Sequence, residues 1–231
     1  MSESLDQYKR EAALAAVAEV RPGMVVGLGH GSTAIHAIRE IARLLDSGEL
    51  HDIRGLPCSE HVAREARKKG MAVVNLGEVE GADLTIDGAD ELTETCDAIK
   101  GGGGALLSEK IVHQNSKRII LIVDYTKLVS RLGEKRALPV EVAKYGWQAQ
   151  QRFIKSLGAM SADLRQDDSG EPFTTDHGHF ILDCRFDPMD DPHALAQALE
   201  SRAGIMEHGL FLNMAQEARV AGPEGLRTLR R

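Results

Sequence analysis

Short apolar runs alternate with stretches of helical period through the first half of this chain, and that alternation limits the fold more than any other feature. Runs at residues 24–28, 53–56, 72–76, 83–86 and 118–123 are four to six residues long and rich in valine, isoleucine and leucine. They are too short for ordinary helices and read as buried strands. Between or before them, residues 4–20, 34–45, 58–69 and 105–115 place apolar side chains at helical spacing, with Ser4 as a cap for the first. Consecutive parallel strands need a crossover, usually a helix, so the pattern predicts βα units: an α/β protein with a largely parallel sheet flanked by helices. Ligands of such sheets gather beyond the carboxyl ends of the strands, where Gly29 and Asp87 both fall.

Beyond Lys144 the texture changes. A strand at 138–142, a helix at 147–157, a strand at 160–165, two strands within 173–186 joined through Asp176-His177-Gly178-His179, and a helix at 191–201 predict a smaller α+β lobe. The expected division is a main α/β domain of residues 1–137 and 205–231, with the small lobe at 138–204.

Composition narrows the partners. The net charge of −7 repels polyanions and anionic membranes, and the 4% of aromatic residues are not interleaved with basic ones, which argues against nucleic acid. No apolar run approaches the ~20 residues of a membrane span, and the N-terminal stretch lacks the apolar centre of a signal peptide. Cys58, Cys96 and Cys184 are odd in number and lack metal-ligand spacing, as in a reducing compartment. A cytoplasmic protein is expected.

The chemistry concentrates at residues 87–112, DGADELTETCDAIKGGGGALLSEKIV. In DGADE, Gly88 and Ala89 let Asp87 and Asp90 converge at a strand end, where close carboxylates raise one another's proton affinity. The same letters also fit an Asp-Gly turn capping a helix, or a ligand to a hard cation, although no calcium-loop spacing is present. Lys100 precedes Gly101, Gly102, Gly103 and Gly104, a backbone that a ligand can approach closely while the ammonium neutralises a developing oxyanion. Glu109 shares a helix face with Leu106 and Val112, so it is either partly desolvated, with the raised pKa of a base, or a solvated helix charge. Upstream, Gly29-His30-Gly31-Ser32-Thr33 joins a strand to a helix N-terminus, an arrangement that cradles phosphate or simply turns the chain. The hydroxyls of Ser32 and Thr33 can cap that helix and donate to an anion. Asp124 and Lys127 arrive at the same rim from another strand end. His177 and His179 are expected at a hairpin tip, and His36 in a structural role.

Together these motifs resemble the type A ribose-5-phosphate isomerase family over nearly the whole length. The likeness is carried by GLGHGSTA at 27–34, DGADEL at 87–92, KGGGGALLSEKIV at 100–112, the segment 124–127, LPVEV at 138–142, TDHGHFILD at 175–183 and GLF at 209–211. The resemblance implies a Rossmann-like fold of the ribose-5-phosphate isomerase/CoA transferase-like type. It also implies an aldose–ketose isomerase of the non-oxidative pentose phosphate pathway that needs no metal or cofactor, takes ribose 5-phosphate as substrate and assembles as a homodimer or homotetramer. Position by position, it makes Glu109 the base of a cis-enediol mechanism and Asp87, with Asp90 beside it, the group that assists ring opening. Lys100 steadies the enediolate, with Gly101, Gly102 and Gly103 around it. Gly29, His30, Gly31, Ser32, Thr33, Lys127 and Lys9 hold the phosphate and the sugar. His30 departs from the family pattern, which has threonine there, and His-Gly-His stands where Asn-Gly-Asn is common. Two other readings fit the same pocket: a non-catalytic sugar-phosphate sensor, for which the two dozen residues before the first strand are too few to form a DNA-binding head, and an enzyme acting on another phosphosugar.

Overall fold

The computed structural model describes residues 2–231. Its first helix, α1 (Ser2–Val17), begins earlier than expected, so Ser4 lies inside its first turn. Ala12, Ala13 and Ala16 bury completely, and their small side chains let α1 approach the sheet and the next helix closely. Two βα units and two further strands follow: β1 (Val25–Leu28), α2 (Ala34–Asp46), β2 (Arg54–Pro57), α3 (Glu60–Lys68), β3 (Ala72–Val73) and β4 (Leu84–Asp87). Helix α3 starts at Glu60 because the Ser59 hydroxyl accepts from the Val62 N–H and caps it. The chain then forms β5 (Glu91–Leu92), β6 (Ala98–Ile99), α4 (Leu106–Gln114) and β7 (Ile119–Asp124).

The second half contributes β8 (Leu138–Val142), α5 (Trp147–Ser156), β9 (Ser161–Leu164), β10 (Phe180–Arg185), α6 (Pro192–Glu200), β11 (Ile205–His208), β12 (Leu210–Phe211), β13 (Glu217–Gly222) and β14 (Gly225–Arg230). The main sheet runs β14-β13-β7-β4-β1-β2-β3, parallel throughout except for the edge hairpin of β13 and β14. Alternation along its strands feeds two cores. Val26, Leu28, Leu84, Ile86, Ile120 and Ile122 face α1 and α2, whereas Ile119, Leu121 and Val123 meet Leu92, Ala98 and Phe211 on the other side. With both faces covered, β1, β4 and β7 bury every residue.

From β1 the chain moves outward through β2 and β3, then crosses back to β4 on the other flank of β1. The loops leaving β1 and β4 therefore diverge, opening a crevice at the switch point where ligands of such sheets bind.

A four-stranded antiparallel sheet, β11-β8-β10-β9, carries α5 and α6. Here one expectation fails: 173–186 is not a pair of strands. Only β10 is regular, and the chain before it bends through turns in which Phe173 N–H donates to the Arg165 carbonyl and Thr175 N–H to that of His179. The apolar run at 72–76 likewise shortens to a two-residue edge strand. A third sheet, β12-β6-β5, lies between the other two. Its Ile99 and Leu210 join the core of the four-stranded sheet, while Leu92, Ala98 and Phe211 join that of the main sheet.

Candidate active site

Asp87 ends β4 with its carboxylate wholly buried. Oδ1 accepts the N–H groups of Gly88 at 2.7 Å and His30 at 3.1 Å. Oδ2 lies 3.0 Å from Lys100 Nζ and 2.9 Å from His113 Nε2. Four donors saturate a carboxylate. Gly29 is glycine because a Cβ there would overlap Asp87, so β1 can deliver the His30 N–H only without one. Asp87 and Gly29 thus stand behind the wall of the cavity that Lys100 and Glu109 line.

Lys100 follows β6 and is fully buried beside Asp87. Its ammonium also donates to the Gly88 carbonyl at 2.7 Å and to Glu109 Oε1 at 2.9 Å. Glu109 and His113 are one turn apart on α4 and face the same way, so a single helix supplies both. The other Glu109 oxygen, Oε2, is buried without a hydrogen-bond partner among the described residues, as is His113 Nδ1.

These surroundings push two carboxylates apart. Burial raises the proton affinity of both, but at Asp87 it is outweighed by the Lys100 charge and the His113 hydrogen bond, so Asp87 stays well below the carboxylate range. At Glu109 burial prevails over Lys100, and the negative Asp87 adds to it; Glu109 rises to about 7. Lys100, despite its burial, is held charged by Asp87 and Glu109. Burial keeps His113 neutral, so its Nε2–H donates to Asp87.

The cavity in front of this cluster is lined by Lys100, Glu109, Gly88, Ala89 and Asp90 on one side and by Gly101, Gly102 and Gly103 on another. His30, Gly31, Ser32, Thr33 and Lys127 close its far end. Asp90 Oδ2 accepts the Gly102 N–H at 2.7 Å, tying the acidic motif to the glycine run. Gly101 and Gly104 adopt φ of 103° and 81°, a region that favours glycine. Thr33 occupies the N-cap position of α2 but makes no side-chain cap bond, contrary to the capping role expected of it. Lys9 reaches from α1 to donate to Ser32 Oγ at 3.0 Å, and so touches the far end only through Ser32. Asp124 caps the short turn Tyr125–Lys127 that carries Lys127 to the rim. Burial, then Arg136, lowers the Lys127 pKa, so an anion there would relieve both.

His30 bonds Ser59 Oγ through Nδ1 at 2.9 Å. That oxygen also accepts the Val62 N–H, so His30 is tied to the cap of α3. The Nε2 edge lies where a Cβ on Gly103 would sit, at the cavity. Burial lowers the His30 pKa, so the imidazole is neutral near pH 7.

Three other histidines have polar partners: His177 meets Ser108, His179 meets Glu141, and His36 meets Asp6. Cys58, Asp87 and Glu109 offer ligand atoms within 4.8 Å of one another, but Lys100 already supplies the cation between the carboxylates, and burial raises the Cys58 thiol well above its usual range. A larger cleft of about 690 Å³ beside the neighbouring face of α4 includes none of Asp87, Lys100 and Glu109 in its walls. Sequence reasoning missed His113, which was discoverable, being four residues from Glu109 on the same face.

The chain was compared with known proteins. Residues 54–225 match the family model described as ribose 5-phosphate isomerase A (phosphoriboisomerase A). A ribose-5-phosphate isomerase A of Chloroflexus aurantiacus is 52% identical over 223 residues, covering 96% of this chain and 93% of the relative. A solved D-ribose-5-phosphate isomerase in complex with phospho-erythronic acid superposes with a TM-score of 0.95 at 34% identity, covering 98% of this chain and 99% of the other. The Plasmodium falciparum ribose 5-phosphate isomerase gives 0.94 at 33% identity, with the same coverage of both chains.

Proposed function

This chain belongs to the ribose 5-phosphate isomerase A family, and from that premise we propose that it interconverts D-ribose 5-phosphate and D-ribulose 5-phosphate through a cis-enediol, as a step of the non-oxidative pentose phosphate pathway. One observation carries the assignment of the base: Glu109 is buried at the cavity wall, one oxygen engaged by Lys100 and the other unpartnered, with its pKa lifted to about 7.

The phosphate sits at Ser32, Thr33 and Lys127, with Lys9 bracing Ser32, and these remote contacts orient the open-chain sugar. Glu109 takes the proton from C2. The charge that develops on the former carbonyl oxygen faces Lys100 and the Gly103 peptide of the glycine run, donors already in place before reaction. Asp90, the aspartate on the wall, opens the furanose and carries the hydroxyl proton from O2 to O1. Glu109 then returns its proton to C1, leaving the ketone at C2. Asp87 acts through Lys100 and His113, holding the ammonium charged and in place.

The same reading covers the whole molecule. It assigns a catalytic main domain and a small lobe that opens at β8; the boundary expected at 204 falls too early, because β11 (Ile205–His208) pairs with β8 in the sheet of the lobe. The assembly proposed is a homodimer or homotetramer in the cytoplasm. Three buried free cysteines support the reducing compartment. The sensor alternative gains no support, since the relatives reported are named isomerases. Chelator-treated protein incubated with ribose 5-phosphate should generate the ketose, read by its colour reaction or by NMR. An absence of ketose would overturn the proposal.

A further inference from the structure

The glycine run is gripped from outside the main sheet. Arg165, immediately after β9, donates through Nη1 to the carbonyls of Gly101 at 2.9 Å and Gly102 at 3.2 Å. Its guanidinium is itself fixed: Nε and Nη2 both bond the Asp183 carboxylate on β10, in the two-pronged geometry that locks a guanidinium plane. The Phe173 ring lies 5.9 Å from the guanidinium carbon and fills the space that a Cβ at Gly104 would need. Arg165 is only 14% exposed, so these bonds work with little competition from water.

In a trans peptide the carbonyl of one residue and the N–H of the next point in opposite directions. Turning the Gly101 and Gly102 carbonyls towards Arg165 therefore turns the N–H groups of Gly102 and Gly103 the other way. Gly102 N–H indeed meets Asp90 on the cavity side, and Gly103 lines the cavity next to it. A positive charge on the carbonyl oxygens also polarises both peptides and strengthens their N–H groups as donors.

We propose that Arg165, held by Asp183 and Phe173, is a positioning residue for the isomerisation: from the small lobe it fixes the Gly102 peptide, whose N–H holds Asp90, and aims the Gly103 peptide at the developing enediolate. This rests on the reading above that Lys100 and the glycine run stabilise that oxyanion. Side chains that pack only for stability would affect substrate and transition state alike. A positioning residue affects the transition state selectively.

The test is Arg165→Met, which keeps much of the packing volume and removes the donors. kcat should fall about 10- to 100-fold, somewhat below the loss from deleting an oxyanion donor outright, with KM within about threefold of wild type. The inhibition constant of a phosphorylated four-carbon hydroxamate, a planar enediolate mimic, should rise in parallel with the fall in kcat/KM, while that of inorganic phosphate stays unchanged. Arg165→Lys should recover part of the rate. If Arg165→Met does not fold, Asp183→Asn, which loosens the guanidinium without removing it, should show a smaller loss of the same kcat-specific kind. Near-normal kcat in these variants, or equal losses for hydroxamate and phosphate, would overturn the inference. Wild-type protein that makes no ketose would instead sink the isomerase reading beneath it.

Discussion

Two carboxylates less than a side chain's length apart owe opposite protonation behaviour to their neighbours. Asp87 receives four donors and stays ionised, whereas Glu109 receives one and keeps an oxygen bare in a buried site. A base must be ionised to act, and Glu109, raised to about 7, is ionised only above that pH. The kcat/KM profile should therefore climb about tenfold per pH unit below 7 and level off above it, as a pH series of initial rates would show. Part of this was legible: apolar neighbours at three-residue spacing left Glu109 open to desolvation or to solvent, and its burial decides for the first. The saturation of Asp87 was not, since it depends on β1 bringing the His30 N–H across from 57 residues away.

At the scale of elements, the site exists because β1 and β4 are neighbours whose exits diverge. Gly29 sets how close they come. Gly29→Ala should cost about 1–3 kcal/mol or more in denaturant unfolding, since a methyl there overlaps Asp87, including its backbone, and cannot be relieved by a side-chain rotation. The long βα alternation was readable because each buried strand is an uninterrupted apolar run. β5, β6 and β12 were not, because two residues cannot display a period. The alternation around Phe180 suggested a hairpin, but Phe173, half of that supposed pair, packs against Gly104 and serves the glycine run instead.

For the molecule as a whole, the small central sheet matters most. Ile99 and Leu210 belong to one core and their neighbours Ala98 and Phe211 to another, so neither lobe can open without exposing the other's apolar surface. Thermal or denaturant unfolding should be a single transition by both far-UV circular dichroism and Trp147 fluorescence; separated midpoints would show independent lobes. The same continuity brings Arg165, immediately after β9, to the carbonyls of Gly101 and Gly102.

The claim on which everything else depends is that Glu109 moves the proton. The most direct measurement follows ribose 5-phosphate by NMR in heavy water with wild-type and Glu109→Gln protein, alongside KM for the same substrate. The variant should keep KM within about threefold of wild type while ketose formation and deuterium uptake at C1 fall together by at least the ~10²–10⁴-fold expected of a lost general base. A Glu109→Gln protein that turns over at near the wild-type rate would contradict the mechanism.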